Sequence, residues 1–410
     1  MAGFIADVTP LRVSPAYRRL WAGTTVAQLG QQMAGVAVAL QVYDITGSSF
    51  AVGMVGLASL GPLVVFGLYG GSIADAHDRR RVLLMASFGL WMCSMALLAQ
   101  AWLDLRNVWL LYLVVAVQSG FFAVSNPARS AIIPRLVGPS LLPAANALST
   151  ASWTLGFTLG PLLAGVLVAV SGYAATFGVD VLTFTAALYA VARLPSVPPE
   201  GTVSRAGLRS VWEGLRFLRT RKNVLMTFLV DLAAMVLAQP RALYPALAVS
   251  VYSGGPTTVG VLSAAPAFGA FAGAVFSGWV GGVRWQGRMI VVMVMSYGAA
   301  VAAFGLSTSL WVGVGFLVVS GACDTVSSVF RSTILQVATP DDLRGRLQGV
   351  FLVVVAGGPR LGDAVAGTSA TVFTLRIAIV AGGMACIAVT AMLAAHFRGF
   401  VRYDAENPVP

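Results

Sequence analysis

The chain has 410 residues, of which 58% are hydrophobic and only 10% charged, and its formal net charge is +11. Soluble domains carry about 25% charged residues, so the composition excludes an ordinary soluble protein and points into a membrane. The positive charge needs no nucleic-acid partner, because its 25 arginines and single lysine, Lys222, gather in the breaks between apolar runs, as topology signals do.

In chain order, apolar runs cover 20–43, 51–73, 82–103, 108–125, 143–170, 174–194, 224–250, 257–280, 288–307, 310–330, 347–368 and 372–397. Each is near the roughly 17–25 residues that carry a helix across a bilayer. Lipid offers no partner to backbone N–H and C=O groups, so such runs fold as helices. Period-two alternation, the mark of a membrane barrel, is absent. The expected fold is therefore an all-α integral membrane protein of twelve spans. The first run is too long for a cleaved signal segment and reads as the first anchor.

With both termini in the cytoplasm, Arg12, Arg18, Arg19, Arg79 to Arg81, Arg129, Arg135, Arg193, the cluster from Arg205 to Lys222, Arg284, Arg288, Arg331, Arg344, Arg346, Arg398 and Arg402 all fall inside. Arg106, Arg241, Arg360 and Arg376 are the exceptions. Trp102, Trp109 and Trp311 mark the outer ends of spans, and Trp279 and Trp285 the inner ends. Cys93, Cys323 and Cys386 lie within spans without metal-site spacing. His77 and His396 fall at inner span ends, so neither a metal nor a cofactor is expected.

Between spans 2 and 3 stands GGSIADAHDRRR (70–81). Positive-inside topology explains Arg79 to Arg81 but not Asp75, since acids contribute little to orientation. After span 6, PSVPPEG (195–201) is rich in turn residues. Leu208, Val211, Trp212, Leu215 and Leu218 then share one helical face, which predicts an amphipathic helix on the inner membrane surface. The chain thus divides into residues 1–194, a linker 195–222, and residues 223–410.

The halves align with each other. A shift of 202 lays 129–165 on 331–367 with nine identities, among them RSAI on RSTI and the glycine spacing of GFTLGPLLAG (156–165) on GPRLGDAVAG (358–367). A shift of 207 lays GGSIADAHDRRRV on SGWVGGVRWQGRM (277–289). Two six-span bundles in parallel repeat are an arrangement of alternating-access transporters.

Several residues carry a family resemblance. Gly71, Ile73, Ala74, Asp75, Arg79 and Arg80 resemble the signature loop of the major facilitator superfamily, although Asp78 stands where that loop usually has glycine. Gly156, Gly160, Pro161 and Gly165 resemble the span-5 motif of its proton-driven exporters. VSPAYRRLW, RALYPALA (241–248), TVSSVFRSTILQVATPDDLRGRLQGV (325–350) and GDAVAG are similar to the bacterial enterobactin exporter group. The resemblance implies two six-helix bundles related by a pseudo-two-fold. It also implies a latch in which Gly71, Asp75, Arg79 and Arg80 meet the start of span 11, with Arg344 or Arg346 as partner. A carboxylate there would be held by free N–H groups and the helix dipole. The plain alternative is a solvated loop.

The remaining candidates are polar groups at membrane depth. Such residues are costly in lipid and either pair or face a cavity. Asp231, Asp363 and Asp324 are the candidates for proton exchange. Gln28, Gln32, Arg241, Tyr244 and Arg360 are the candidates for the substrate cavity. Static pairing between helices is the structural alternative for the charges, as helix–helix hydrogen bonding is for the glutamines. Asp180 also lies at depth, in span 6. The expected function is export of an amphiphilic small molecule, siderophore or drug, driven by a proton gradient. The siderophore reading rests on the resemblance, with macrolide-type drug efflux as the alternative. The expected setting is a monomer among lipids in the bacterial inner membrane. An enzyme is not expected, for the sequence has no phosphate-binding loop, paired-acid motif or large extramembrane segment.

Overall fold

The computed structural model describes residues 7–198, 216, 221–338 and 341–404; for 71, 72, 74, 75, 281, 336–338 and 341–353 it describes the backbone alone. The predicted amphipathic helix of the linker falls almost wholly outside the described residues. Long helices dominate: α1 (Pro15–Thr46), α2 (Ser49–Ala76), α3 (Arg79–Trp102), α4 (Val108–Val137), α5 and α6 (142–171 and 173–192), α7 (Lys222–Ser250), α8 (Pro256–Val275), α9 (Gln286–Leu306), α10 (Leu310–Ala338), α11 (Asp341–Val372) and α12 (Leu375–His396). The one β contact among the described residues is an isolated bridge between Trp285 and Asp404.

Nine described segments are long and apolar enough to cross a membrane, and one of them holds both α5 and α6. The two long helices that fall short are α1 and α11, each of 32 residues. They are also the helices bearing Gln28, Gln32, Arg360 and Asp363. Twelve long helical segments result among the described residues, in agreement with the twelve apolar runs.

α5 and α6 form one hydrogen-bonded run of 51 residues broken at Gly172 (φ 78°, ψ −176°). Straight, that run would span about 77 Å, more than twice the roughly 30 Å hydrocarbon core. The chain therefore turns back at Gly172, where a positive φ favours glycine. α7 is interrupted after Leu237, where Pro240 and Pro245 remove backbone donors, and continues through a 3₁₀ turn at Arg241–Leu243.

Two compact units are present. One comprises Met1–Ile45 and Ala58–Ala206, the other Thr46–Leu57 and Gly207–Pro410. The first turns of α2 group with the second unit because glycines let the backbones approach. A Cβ on Gly53 would lie 2.5 Å from the Asp363 carbonyl oxygen, and one on Gly56 2.6 Å from that of Arg360. In the first unit, Leu20, Val82, Leu83, Ala128, Ile132 and Val191 pack α1, α3, α4 and α6 together.

Each unit carries the same backbone tie. Asp78 caps α3 by accepting from the Arg80 N–H (2.9 Å). It also accepts from Ser196 Oγ (2.5 Å) and the Val197 N–H (3.2 Å), while the Arg79 N–H donates to the Val197 carbonyl (3.1 Å). A shift of 207 converts Asp78 and Val197 to Trp285 and Asp404, the bridged pair of the second unit. There Arg284 pairs with Asp404 at 2.8 Å. The departure from glycine at position 78 is thus a cap and a clamp on the segment after α6.

Candidate functional site

The second unit holds a buried ion cluster. Asp231 comes from the middle of α7; Asp324 and Arg331 come from α10, seven residues and two turns apart on one face. Arg331 forms an ion pair with Asp231 Oδ1, and its other terminal nitrogen donates to Asp324 Oδ1 at 3.2 Å. Asp231 is 6% exposed and Arg331 9%, whereas the Asp324 side chain is 34% exposed. Arg331 corrects the sequence expectation. The sequence places it in a cytoplasmic break after an apolar run ending at 330, but α10 continues to Ala338 and the guanidinium is internal. Two signals point to the correct reading: Asp324 lies at helical spacing from it, and it sits in the repeat string shared with Arg129.

Asp363 and Arg360 lie three residues apart on α11, against the first turns of α2. Asp363 has one buried oxygen without a hydrogen-bond partner among the described residues, while its carboxylate receives the Ala242 backbone N–H from α7. Arg360 Nη1 donates to the Ala356 carbonyl one turn earlier. Arg241 is exposed. Tyr244 is 3% exposed and stands edge-on to Phe304 at 6.1 Å.

In the first unit, Gly156, Gly160, Pro161 and Gly165 are all buried. A Cβ on Gly156 would lie 2.8 Å from Gln28 Cγ, and one on Gly160 2.6 Å from Gln32 Cβ. The motif therefore seats the α1 glutamines. The second unit repeats the seat more tightly: Gly362, 202 residues after Gly160, lies against Gln239, 207 residues after Gln32, with 2.9 Å from a built Cβ to Gln239 Cβ, and closer still to the Met235 carbonyl. Gln28 also lines an open cavity of about 170 Å³ with walls from α1, α4 and α5. Asp180 on α6 is fully buried; Ser94 Oγ of α3 lies 2.6 Å from its Oδ2, and Gly30 of α1 closes over it.

The side chains of the predicted latch lie outside the described residues at Asp75, Arg344 and Arg346, as does the surrounding of Gly71. α11 begins at Asp341 rather than after Arg346, so both arginines belong to its opening turns and do not precede it. Arg80 Nη2 donates to the Ala192 carbonyl at 2.6 Å. Partial burial pushes the Asp78 carboxyl up, but the bonds from Ser196, Val197, Arg80 and Arg81 outweigh it and hold the group below its ordinary value.

A two-unit bundle of twelve long helices with acids and arginines at membrane depth is a membrane transporter of the major facilitator type, not an enzyme. Residues 5–409 match the model of the transmembrane secretion effector family, and the chain belongs to that family. It is 28% identical over 412 residues to the enterobactin exporter EntS of Citrobacter koseri, covering 99% of this chain and 98% of that one. It is 28% identical to EntS of Shigella boydii serotype 18, covering 95% and 94%. Among solved structures, its fold resembles a POT family transporter in complex with 5-aminolevulinic acid (TM-score 0.75, 10% identity, 97% and 98% covered). It also resembles a bacterial homologue of the iron transporter ferroportin in an inward-facing state (TM-score 0.69, 15% identity, 94% and 98% covered).

Proposed function

We propose that this protein is a proton-coupled exporter of an amphiphilic small molecule, a catecholate siderophore of the enterobactin type, working by alternating access. It does so as a monomer in the bacterial inner membrane, with both termini in the cytoplasm. Near full-length similarity to enterobactin exporters supports the cargo. The Asp231–Arg331–Asp324 cluster carries the coupling. One guanidinium serves two carboxylates on two helices, so protonating Asp231 cancels its charge and frees Arg331 to turn wholly to Asp324. That exchange loosens α7 from α10; loss of the proton restores the tie. Asp363, with one oxygen unpartnered, is the second proton candidate, and Arg241 and Arg360 offer positive charge to an anionic cargo. No cofactor takes part, because the gradient supplies the energy. In the outward-open phase Asp75 and its arginines hold the cytoplasmic side shut.

The test has two arms. In a siderophore-producing strain, deletion should abolish extracellular siderophore, and the intact gene, but not the Asp231→Asn variant, should restore it. In inside-out vesicles, uptake of the siderophore should stop when the proton gradient is collapsed. Unchanged secretion after deletion overturns the cargo, and a shift in macrolide susceptibility in its place would assign the drug reading. Uptake that survives collapse overturns the coupling.

A further inference from the structure

We propose that the cavity around Arg129 in the first unit is a binding subsite for a single aromatic ring bearing an acidic group. This deepens the export reading and rests on it. The cavity measures about 170 Å³ and is lined by Tyr17, Trp21, Gln28, Arg129, Asn146 and Trp153 among others, with no Asp or Glu in its wall among the described residues. A cavity of roughly 150 Å³ is enough to hold one benzene ring, so the volume suits a ring with its substituents and little more.

The wall is arranged for such a guest. The Tyr17 hydroxyl is committed to the Ala145 carbonyl (3.0 Å) and the Trp21 indole N–H to the Leu148 carbonyl (3.2 Å), so both rings are fixed in place. Trp153 is held by stacking on Phe157, 5.5 Å between ring centres. Arg129 is positioned by one bond, from Nη2 to Asn126 Oδ1 at 2.9 Å. A guanidinium is a planar fork of five donors, and this bond leaves most of them for a carboxylate, which Arg binds through two parallel bonds. Arg331, at the same repeat position, has two carboxylates of its own. Among the described residues Arg129 meets a neutral amide and a cavity, a place that an anion from outside the chain would balance.

The test uses the full-length protein purified in detergent, with benzoate as probe and benzamide and acetate as controls, read by tryptophan fluorescence. Benzoate should bind at least tenfold tighter than either control. Arg129→Gln should erase the preference for benzoate over benzamide, Arg129→Lys should keep part of it, and Trp153→Phe should diminish the fluorescence change. Equal binding of benzoate and benzamide, no binding of either, or a preference that survives Arg129→Gln overturns the subsite. Should Arg129→Gln elute as aggregate, the Lys variant decides: an unchanged benzoate preference there, together with unchanged affinity, counts against a geometry-dependent carboxylate fork. Failure here with siderophore secretion intact removes the subsite and leaves the export reading standing; loss of that reading with benzoate binding intact does the reverse.

Discussion

Arg129 and Arg331 open the same string, Arg-Ser-x-Ile, 202 residues apart, and their surroundings differ in kind. Seven residues before Arg331 stands Asp324; seven before Arg129 stands Phe122. The second unit adds Asp231 from α7 and closes its arginine in an internal ion cluster. The first unit leaves its arginine beside an amide, aromatic rings and a cavity. A duplicated helix thus kept one cation and diverged in what answers it: an acid of the chain in one half, a space for a guest in the other.

Removing each arginine in turn should have the most unequal consequences. Arg331→Leu strands two carboxylates at membrane depth, and breaking a buried pair from one side costs about 3–5 kcal/mol. The variant should show greatly reduced thermal stability in detergent, largely restored by adding Asp231→Leu and Asp324→Leu. Arg129→Leu strands no acid and should cost under about 1 kcal/mol, the scale of an ordinary substitution away from buried networks. Similar losses in the two would mean that Arg129 is also an internal structural charge.

The glycine seats give a second contrast, because the units share their placement but not their tightness. Gly160→Leu drives a side chain into Gln32, at a cost of about 1–3 kcal/mol for overpacking, whereas at Gly362 an added side chain meets the Met235 backbone carbonyl before it meets Gln239. Both should lower the melting temperature, Gly362→Leu by more; equal losses would show that the two seats yield alike.

The smallest expected effects separate the two backbone ties. Asp78→Ala removes a helix cap, worth about 1 kcal/mol. Asp78 is held below its ordinary pKa in the fold, so its contribution is present at neutral pH and is lost as pH falls through that lowered value. The stability gap between wild type and Asp78→Ala should hold steady above about pH 5, clear of the ordinary carboxylate range, and close on further acidification. Arg284→Ala breaks an ion pair whose arginine is 52% exposed; it should cost about 0–1 kcal/mol and fade with added salt.

The twelve spans are legible in the sequence because lipid imposes length and apolarity on each run, and the structure returns a helix at each. Helix ends are not. The apolar stretches that announce α4 and α10 stop at 125 and 330, yet α4 runs on to Val137, where Gly138 caps it, and α10 runs on to Ala338. A charged residue beyond an apolar run reads as a loop, although Arg129 and Arg331 sit on helical turns whose neighbours half-bury the first and bury the second. Which partner an arginine meets depends on the facing helix, and Asp231 lies 100 residues from Arg331 in sequence. The glycine motif is legible as a close-packing face, whereas its seat on Gln28 and Gln32 needs the packing of α1 against α5. Tyr244 is legible as an aromatic on span 7, whereas its burial beside Phe304 depends on the broken course of α7.

Gly172 bears on how the chain is made. With no polar loop between them, α5 and α6 leave the ribosome as a single apolar stretch of 51 residues. Each arm is long enough to span lipid, and a run of that length cannot lie straight across a bilayer, so Gly172 is the point about which the pair must fold as it inserts. A bulky residue at that hinge would act during biogenesis, lowering the amount of protein delivered to the membrane while leaving the turnover of each delivered molecule unchanged.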